Sequence, residues 1–424
     1  MIDVIRQSWP ILLGLFLLLI GNGIQSTLLG IRGSIEGIDA ETMALVMSAY
    51  FAGILVGSRR APFLIRRVGH VRVFAALASM ISAVFILYAA SPQAWSWIIM
   101  RFIVGFCFSG VYVVTESWLN QSTTVSNRGK ALSLYMIIQM VGMISAQGFL
   151  NFGDPSGYSL FILMSVLVSV SFLPILLTVT PVPTVHTTDP MTLRQLYAAS
   201  PLGCVGIFLL GGVFAGLYGM AAVFGTERGL SVGEISIFVA AIYVGGLVFQ
   251  VPIGAASDRV DRRFLILGIT AVGAIFGLAG LPFASDFPVV LALGFLFGGV
   301  ANPLYSLLIA YTNDYLDYSD MAAASGGMLF LNGLGATLGP IAIGWMMQIW
   351  GANAFLVFLC LIFTTIAIFA LYRMTRRSSI DDNTPYRPVS PTASAVALEA
   401  SQEVAVEMAE DMADTQEENR SAVS

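Results

Sequence analysis

Charge is what this sequence lacks most. Asp, Glu, Lys and Arg together make up 11% of its 424 residues, whereas a soluble domain carries about 25%. So few charges cannot clothe a water-facing surface, while a hydrocarbon-facing surface needs none, so most of the chain belongs in lipid. Lysine is nearly missing: Lys130 is the only one among twenty Lys and Arg residues, so any topology signal must be carried by arginine. Histidine occurs only as His70 and His186, both in stretches read as loops, and no zinc spacing such as H-E-x-x-H exists. The three cysteines, Cys107, Cys204 and Cys360, lie far apart inside apolar runs, which argues against a disulfide framework and for buried apolar roles. Nor is there a Walker loop to couple ATP to work. The expectation is therefore no enzyme, no cofactor, no metal and no nucleic-acid partner.

What is present is apolar length. A bilayer core of about 30 Å takes around 20 apolar residues in a helix. Twelve such runs can be read, near 9–30, 42–58, 71–90, 95–118, 131–152 and 159–179, then 202–223, 235–256, 264–283, 287–312, 323–347 and 352–372. The first is too long for a signal peptide and lacks a small-residue cleavage site. Placing the N-terminus in the cytoplasm puts Arg6, Arg59, Arg60, Arg66, Arg67, Arg72, Arg128, Lys130, Arg194, Arg259, Arg262, Arg263, Arg373, Arg376 and Arg377 inside, and only Arg32 and Arg228 in outside loops. That asymmetry predicts cytoplasmic termini and an inner-membrane location. The proline-rich stretch 181–200 divides the chain into an N-terminal bundle (1–180) and a C-terminal bundle (201–373). Residues 374–424 are acidic and poor in large apolar side chains, and read as a disordered cytoplasmic tail, with a weak amphipathic helix near 396–412 as the alternative.

An offset of 193 residues lays Tyr50, Gly53, Gly105, Tyr112, Asn120 and Gly142 over Tyr243, Gly246, Gly298, Tyr305, Asn313 and Gly335. Halves repeated in the same orientation place a solute site at mid-membrane between them. Apart from Arg72 at the very edge of its run, only Arg101 and Glu116 are charged within the runs, and a charge at the bilayer centre costs roughly 2.5–3.5 kcal/mol. Both lie on one helical stripe with Gly105, Ser109, Tyr112 and Asn120. That stripe reads either as a cavity wall or as interhelical hydrogen bonding with snorkelling at the ends. The cavity candidates are Arg101, Tyr112, Asn22, Gln139, Tyr243, Asn302 and Tyr305.

The strongest local pattern runs from Gly254 through Asp258, Arg259 and Asp261 to Arg262 and Arg263. It resembles the G-x-x-x-D-R-x-G-R-R loop of the major facilitator superfamily, with Asp261 in place of the glycine. The first-half equivalent keeps Gly69 but has Arg66 where the aspartate belongs. Arg101-x-x-x-Gly105, Glu116-Ser117-Trp118-Leu119-Asn120 and Arg128-Gly129-Lys130 narrow the resemblance to the YcaD-like bacterial branch. The resemblance implies twelve helices in two pseudo-symmetric bundles, an all-α membrane fold working by alternating access. It also implies a cytoplasmic gate, for which the candidates are Asp258, Arg259, Arg262, Arg263, Glu116, Arg66 and Arg128. A functional monomer in a lipid bilayer moving a small-molecule substrate is expected, with proton-coupled efflux of a drug or metabolite open alongside uptake. The antiporter pattern is absent from 131–152, and a similar one, Gly333-x-Gly335-x-x-x-Gly339-Pro340, stands instead in the eleventh run. The rival reading is a non-transporting sensor or scaffold that uses its acidic tail to bind partners.

Overall fold

The computed structural model describes residues 2–122, 125–176, 191–376 and 385–405, and among these there is no strand. Twelve helices are long and apolar enough to cross a membrane. They are α1 (Ser8–Ile35), α2 (Ala40–Val68), α3 (His70–Ala90), α4 (Ala94–Asn120), α5 (Asn127–Phe152) and α6 (Ser159–Leu176) in the first half. The second half has α7 (Pro201–Glu227), α8 (Val232–Ser257), α9 (Arg262–Phe283), α10 (Phe287–Asn313), α11 (Asp320–Trp350) and α12 (Ala354–Met374). Residues 395–405 form a further helix, α13. Each span matches a run read from the sequence, but several helices outlast the apolar stretch. Helix α2 continues to Val68 instead of ending near 58, because Arg59, Arg60, Arg66 and Arg67 favour helix and the last two complement the negative end of its dipole.

As a result the expected loop between α2 and α3 is a single residue. Gly69 closes one helix and opens the next at φ 87°, a conformation in which a side chain would be strained. His70 is therefore not a loop residue but the first residue of α3, buried and stacked on Trp118 at 6.2 Å. His186 lies outside the described residues. The matching junction between α8 and α9 is built differently: Asp261 caps α9 by accepting from the Arg263 amide at 2.9 Å. Burial alone would raise its carboxyl, and hydrogen bonds from Arg263 outweigh that and hold it below the ordinary carboxylate value.

Both halves pack by the same device. A Cβ at Gly53 would sit 2.1 Å from the Phe102 carbonyl oxygen, and one at Gly105 would sit 2.0 Å from that of Tyr50. In the second half a Cβ at Gly245 would lie 2.0 Å from the Phe295 oxygen and one at Gly298 would lie 1.9 Å from that of Ile242. Only glycine lets α2 approach α4, and α8 approach α10, this closely. These contacts correct the repeat. The offset is 193 between α4 and α10 but 192 between α2 and α8, so the counterparts of Tyr50 and Gly53 are Ile242 and Gly245. Tyr243 answers to Phe51.

Away from the termini the two bundles touch each other. A Cβ at Gly30 of α1 would stand 2.7 Å from Ala222 Cβ of α7, and one at Gly344 of α11 would stand 2.3 Å from Ala44 Cβ of α2. At the terminal face the space between the bundles holds residues 385–405. This corrects the reading of a solvated tail: Tyr386, Val389, Ala393, Ala397, Leu398 and Ala400 are among its buried residues. The segment is rich in Ala and Ser, which looks disordered by composition. Small side chains are also what can thread a cleft whose apolar walls belong to other helices. Residues 377–384 and 406–424 of the acidic tail lie outside the described residues, as do residues 181–190 of the inter-bundle loop. The rest of that loop includes a short helix, Leu193–Ala199, begun by a Thr192/Gln195 capping box.

Candidate functional site

Six of the sequence candidates, Asn22, Arg101, Tyr112, Gln139, Tyr243 and Asn302, line one cavity of about 630 Å³ between the bundles. Tyr305 does not join them; it is fully buried behind the wall, edge-on to Phe214 at 5.8 Å. Phe51 and Tyr218 complete the aromatic lining, with Tyr50, Met140 and Met143. A second chamber of about 700 Å³ shares Phe51, Tyr112 and Tyr218 and adds Ser109, Phe214 and Asn332. Ser109 continues the stripe of Arg101 and Tyr112 down α4, so that periodicity does mark a wall.

Arg101 carries the local electrostatics. It is 1% exposed, so it does not snorkel to an interface. One guanidinium nitrogen donates to Gln25 Oε1 at 3.0 Å, the other lies 3.0 Å from the Met47 sulfur, and the group sits 4.7 Å from the centre of the Tyr50 ring. Gln25 is itself fixed by donating to the Tyr88 hydroxyl at 2.9 Å. Among the described residues no carboxylate forms an ion pair with Arg101, and its Nε has no hydrogen-bond partner. A buried cation that only neutral groups contact stays charged, because guanidinium does not lose its proton in proteins. It leaves a strongly positive field at one wall.

The remaining walls are amide and aromatic. Asn22 donates to the Tyr50 hydroxyl at 3.2 Å, and Asn302 donates to the Tyr218 hydroxyl at 2.6 Å. Asn22 Oδ1, Gln139 Nε2 and Asn302 Oδ1 are buried without partners, each a hydrogen-bonding group whose desolvation is uncompensated. Tyr218 stacks on Tyr243 at 4.6 Å with 16° between the rings. Tyr218 comes from a π turn, Gly216–Met220, inside α7; such a widened turn re-aims a side chain within a helix and recurs at functional sites. The π turn, and with it the placing of Tyr218 on the cavity, was not legible in the sequence.

The gate candidates separate into two groups. Arg262 is buried and pairs with Asp314 at the end of α10, also donating to Ser257 Oγ at 3.1 Å and the Ala310 carbonyl at 3.2 Å. Arg263 pairs with Asp261 at 2.7 Å. These two arginines fasten α9 within its own bundle, and Arg259 and Arg66 lie exposed at the surface. By contrast Asp258, Glu116 and Arg128 all hold the tail. Asp258 accepts from the Tyr386 amide at 2.8 Å, Glu116 accepts from the Ser394 amide at 2.9 Å, and Arg128 pairs with Glu403 at 2.6 Å.

The comparisons with known proteins agree with this architecture. The model of the Major Facilitator Superfamily matches residues 11–231 and 203–406. An uncharacterised MFS-type transporter YcaD from Escherichia fergusonii is 28% identical over 382 residues, covering 88% of this chain and 97% of the relative. An uncharacterised MFS-type transporter from Yersinia pestis is 26% identical over 389 residues, covering 90% and 99%. Among solved structures, a D323A mutant of the nucleoside transporter NupG superposes with a TM-score of 0.73 at 15% identity, covering 87% of this chain and all of that one. An inward-facing bacterial homologue of the human lysosomal transporter Spinster gives 0.68 at 13%, covering 95% and 98%. Two overlapping family matches that together cover all twelve spans, on a fold shared with solved transporters, place this chain in the Major Facilitator Superfamily as a multi-pass membrane protein related to the YcaD-type transporters.

Proposed function

We propose that the chain is a secondary transporter that binds a small solute at the cavity around Arg101 and moves it across the cytoplasmic membrane by alternating access. The observation that carries this reading is a buried guanidinium with no carboxylate partner among the described residues, in a cavity between two bundles that already touch at one end. Its preferred ligand bears an anionic or carbonyl group for Arg101 and a planar body for the Tyr218–Tyr243 stack. Asn22, Gln139 and Asn302 supply hydrogen bonds at the rim. A cationic solute is disfavoured, because among the described residues no carboxylate lines the cavity. The arginine asymmetry supports cytoplasmic termini, which makes the terminal face the inner one.

The scaffold reading needs an exposed tail; residues 385–405 face inward, and residues 406–424 lie outside the described residues. The test is ligand stabilisation of purified protein against a panel of small anionic, neutral and cationic aromatics. A binder at a hundredfold excess over Kd adds about 2.7 kcal/mol of stability, seen as a raised Tm. The expected outcome is stabilisation by an anion or carbonyl compound that is lost in Arg101→Ala and weakened in Arg101→Lys, which keeps charge without the planar fork. Equal stabilisation of wild type and Arg101→Ala would remove Arg101 from the site.

A further inference from the structure

We infer that the terminal-face vestibule is a built binding site for the chain's own segment 385–405, and that this segment plugs the solute route. The segment enters along α8 and α10. The Tyr386 ring packs where a Cβ on Gly254 would lie, 2.7 Å away, and Gln250 donates to its hydroxyl at 2.8 Å. Deeper in, the Val389 amide donates to Ser306 Oγ at 2.9 Å. The chain then turns at Ser390, Pro391 and Thr392, which form part of the cavity wall itself, Pro391 and Thr392 lining both chambers. Thr392 reaches Gln139 at 3.5 Å, so the turn already occupies one of the polar groups assigned to the solute.

The return leg is α13, and its start is prepared by the bundle. Glu116 accepts from the amide and the hydroxyl of Ser394, while Tyr135 donates to it at 2.7 Å. A carboxylate at this position takes the amide just ahead of the helix and complements the positive end of the helix dipole. This accounts for an in-span charge that the solute cavity does not use. At the far end Gln402 donates to Asn313 Oδ1 at 3.1 Å and accepts from Ser325 Oγ at 2.8 Å. The segment thus bonds α4 and α5 of one bundle and α8, α10 and α11 of the other, and its main-chain amides are satisfied by bundle side chains. An incidental contact would not find a buried carboxylate at its helix start and partners in both bundles.

With the plug in place the bundles cannot close at this face, and a solute cannot leave through it. That consequence rests on the transport reading, whereas occupancy of the vestibule does not, so the test is read without transport. A Cβ at Gly129 would lie 3.2 Å from a Val404 methyl, so a chain carrying Gly129→Cys and Val404→Cys is placed to form a disulfide on mild oxidation. Ser109→Cys, on the second chamber, reports access for a membrane-impermeant thiol reagent applied from the terminal face, with the buried native cysteines as background. The disulfide should form in the full chain. Removing residues 377–424 should speed labelling of Ser109→Cys about tenfold or more, the factor for a site that its plug leaves free a tenth of the time or less. Ser394→Pro in the full chain supplies a second route: proline is tolerated at a helix start but removes both Ser394 donors to Glu116, leaving only Tyr135, and should also speed labelling. Absence of the disulfide, or equal labelling rates in full-length, truncated and Ser394→Pro chains, would overturn the plug. Faster labelling with no solute movement in either chain would leave the plug standing and count against transport.

Discussion

The two bundles are alike in packing and unlike in charge. Glycine-mediated contact between the second and fourth helices of each half recurs almost atom for atom, Gly53 and Gly105 in one and Gly245 and Gly298 in the other. Yet α4 of the first half carries two buried charges, Arg101 and Glu116, whose counterparts on α10 are Gly294 and Ile309. The second half offers aromatic rings and amides instead: Tyr218, Tyr243 and Asn302. The difference teaches a division of labour. Backbone approach is a requirement of the fold and is met twice, whereas a buried charge is costly and is kept only where something answers it. For Glu116 that answer is the tail helix, and for Arg101 we assign it to the solute.

The terminal-face junctions differ in the same sense. In the first half one glycine joins α2 to α3; in the second a four-residue turn presents Asp258 to the tail and uses Asp261 as a helix cap. The departure from the family loop at Asp261 is therefore a structural substitution, a cap in place of a turn glycine.

The shared packing is the easiest part of the comparison to break. Gly105→Ala and Gly298→Ala each drive a methyl into a neighbouring carbonyl that cannot move independently of its helix. Both should destabilise by about 1–3 kcal/mol or more, seen as a lowered Tm in detergent. Closely similar losses support equivalence of the halves, and loss in only one would refute it.

A smaller effect sharpens the asymmetry. Asp258→Asn keeps the shape but removes the charge that accepts the Tyr386 amide. A partly exposed interaction of this kind is worth about 1 kcal/mol or less, so labelling of Ser109→Cys should rise several-fold while expression stays normal. Unchanged labelling would separate Asp258 from the tail.

The smallest effect is set by pH. Burial, with Glu403 beside it, raises the Glu399 carboxyl to about 7; Glu403 is itself paired with Arg128, and the other acid facing α13 is Glu116 at its start. A carboxyl whose docked value is raised favours docking in its protonated form. That contribution is complete below the undocked value near 4.5 and is lost as pH rises through about 7. Labelling of Ser109→Cys, corrected for the reagent's own pH dependence, should therefore increase between pH 5 and 8. Glu399→Gln should flatten that rise, and an unaltered slope would exclude Glu399 as its source.

Much of this was legible in the residues because membrane helices advertise themselves. Apolar length located all twelve spans, and the spacing of Arg101, Ser109 and Tyr112 identified a wall of α4. Tyr305 was misplaced because a tyrosine on the correct stripe can still point behind a neighbour, here Phe214. The repeat was misread by one residue on α2 and α8, since glycines one position apart, Gly245 and Gly246, fit a sequence offset equally well. Of the tail, a helix near 396–412 was open as an alternative and one forms at 395–405, but its docking between the bundles was not legible. Its stability comes from carboxylates and amides on other helices, and an Ala- and Ser-rich stretch carries no trace of the cleft that receives it.

The central claim is that the two bundles exchange access to the cavity around Arg101, and the opposite-face contact of α1 with α7 is where that exchange must show. Spin labels on Ser34→Cys and Glu227→Cys, both exposed at that face, report the separation of the two helix ends. The full chain should give one short distance. The chain lacking 377–424, with a stabilising solute from the ligand panel, should add a second and longer one as the contact opens. A single short distance under every condition would contradict alternating access.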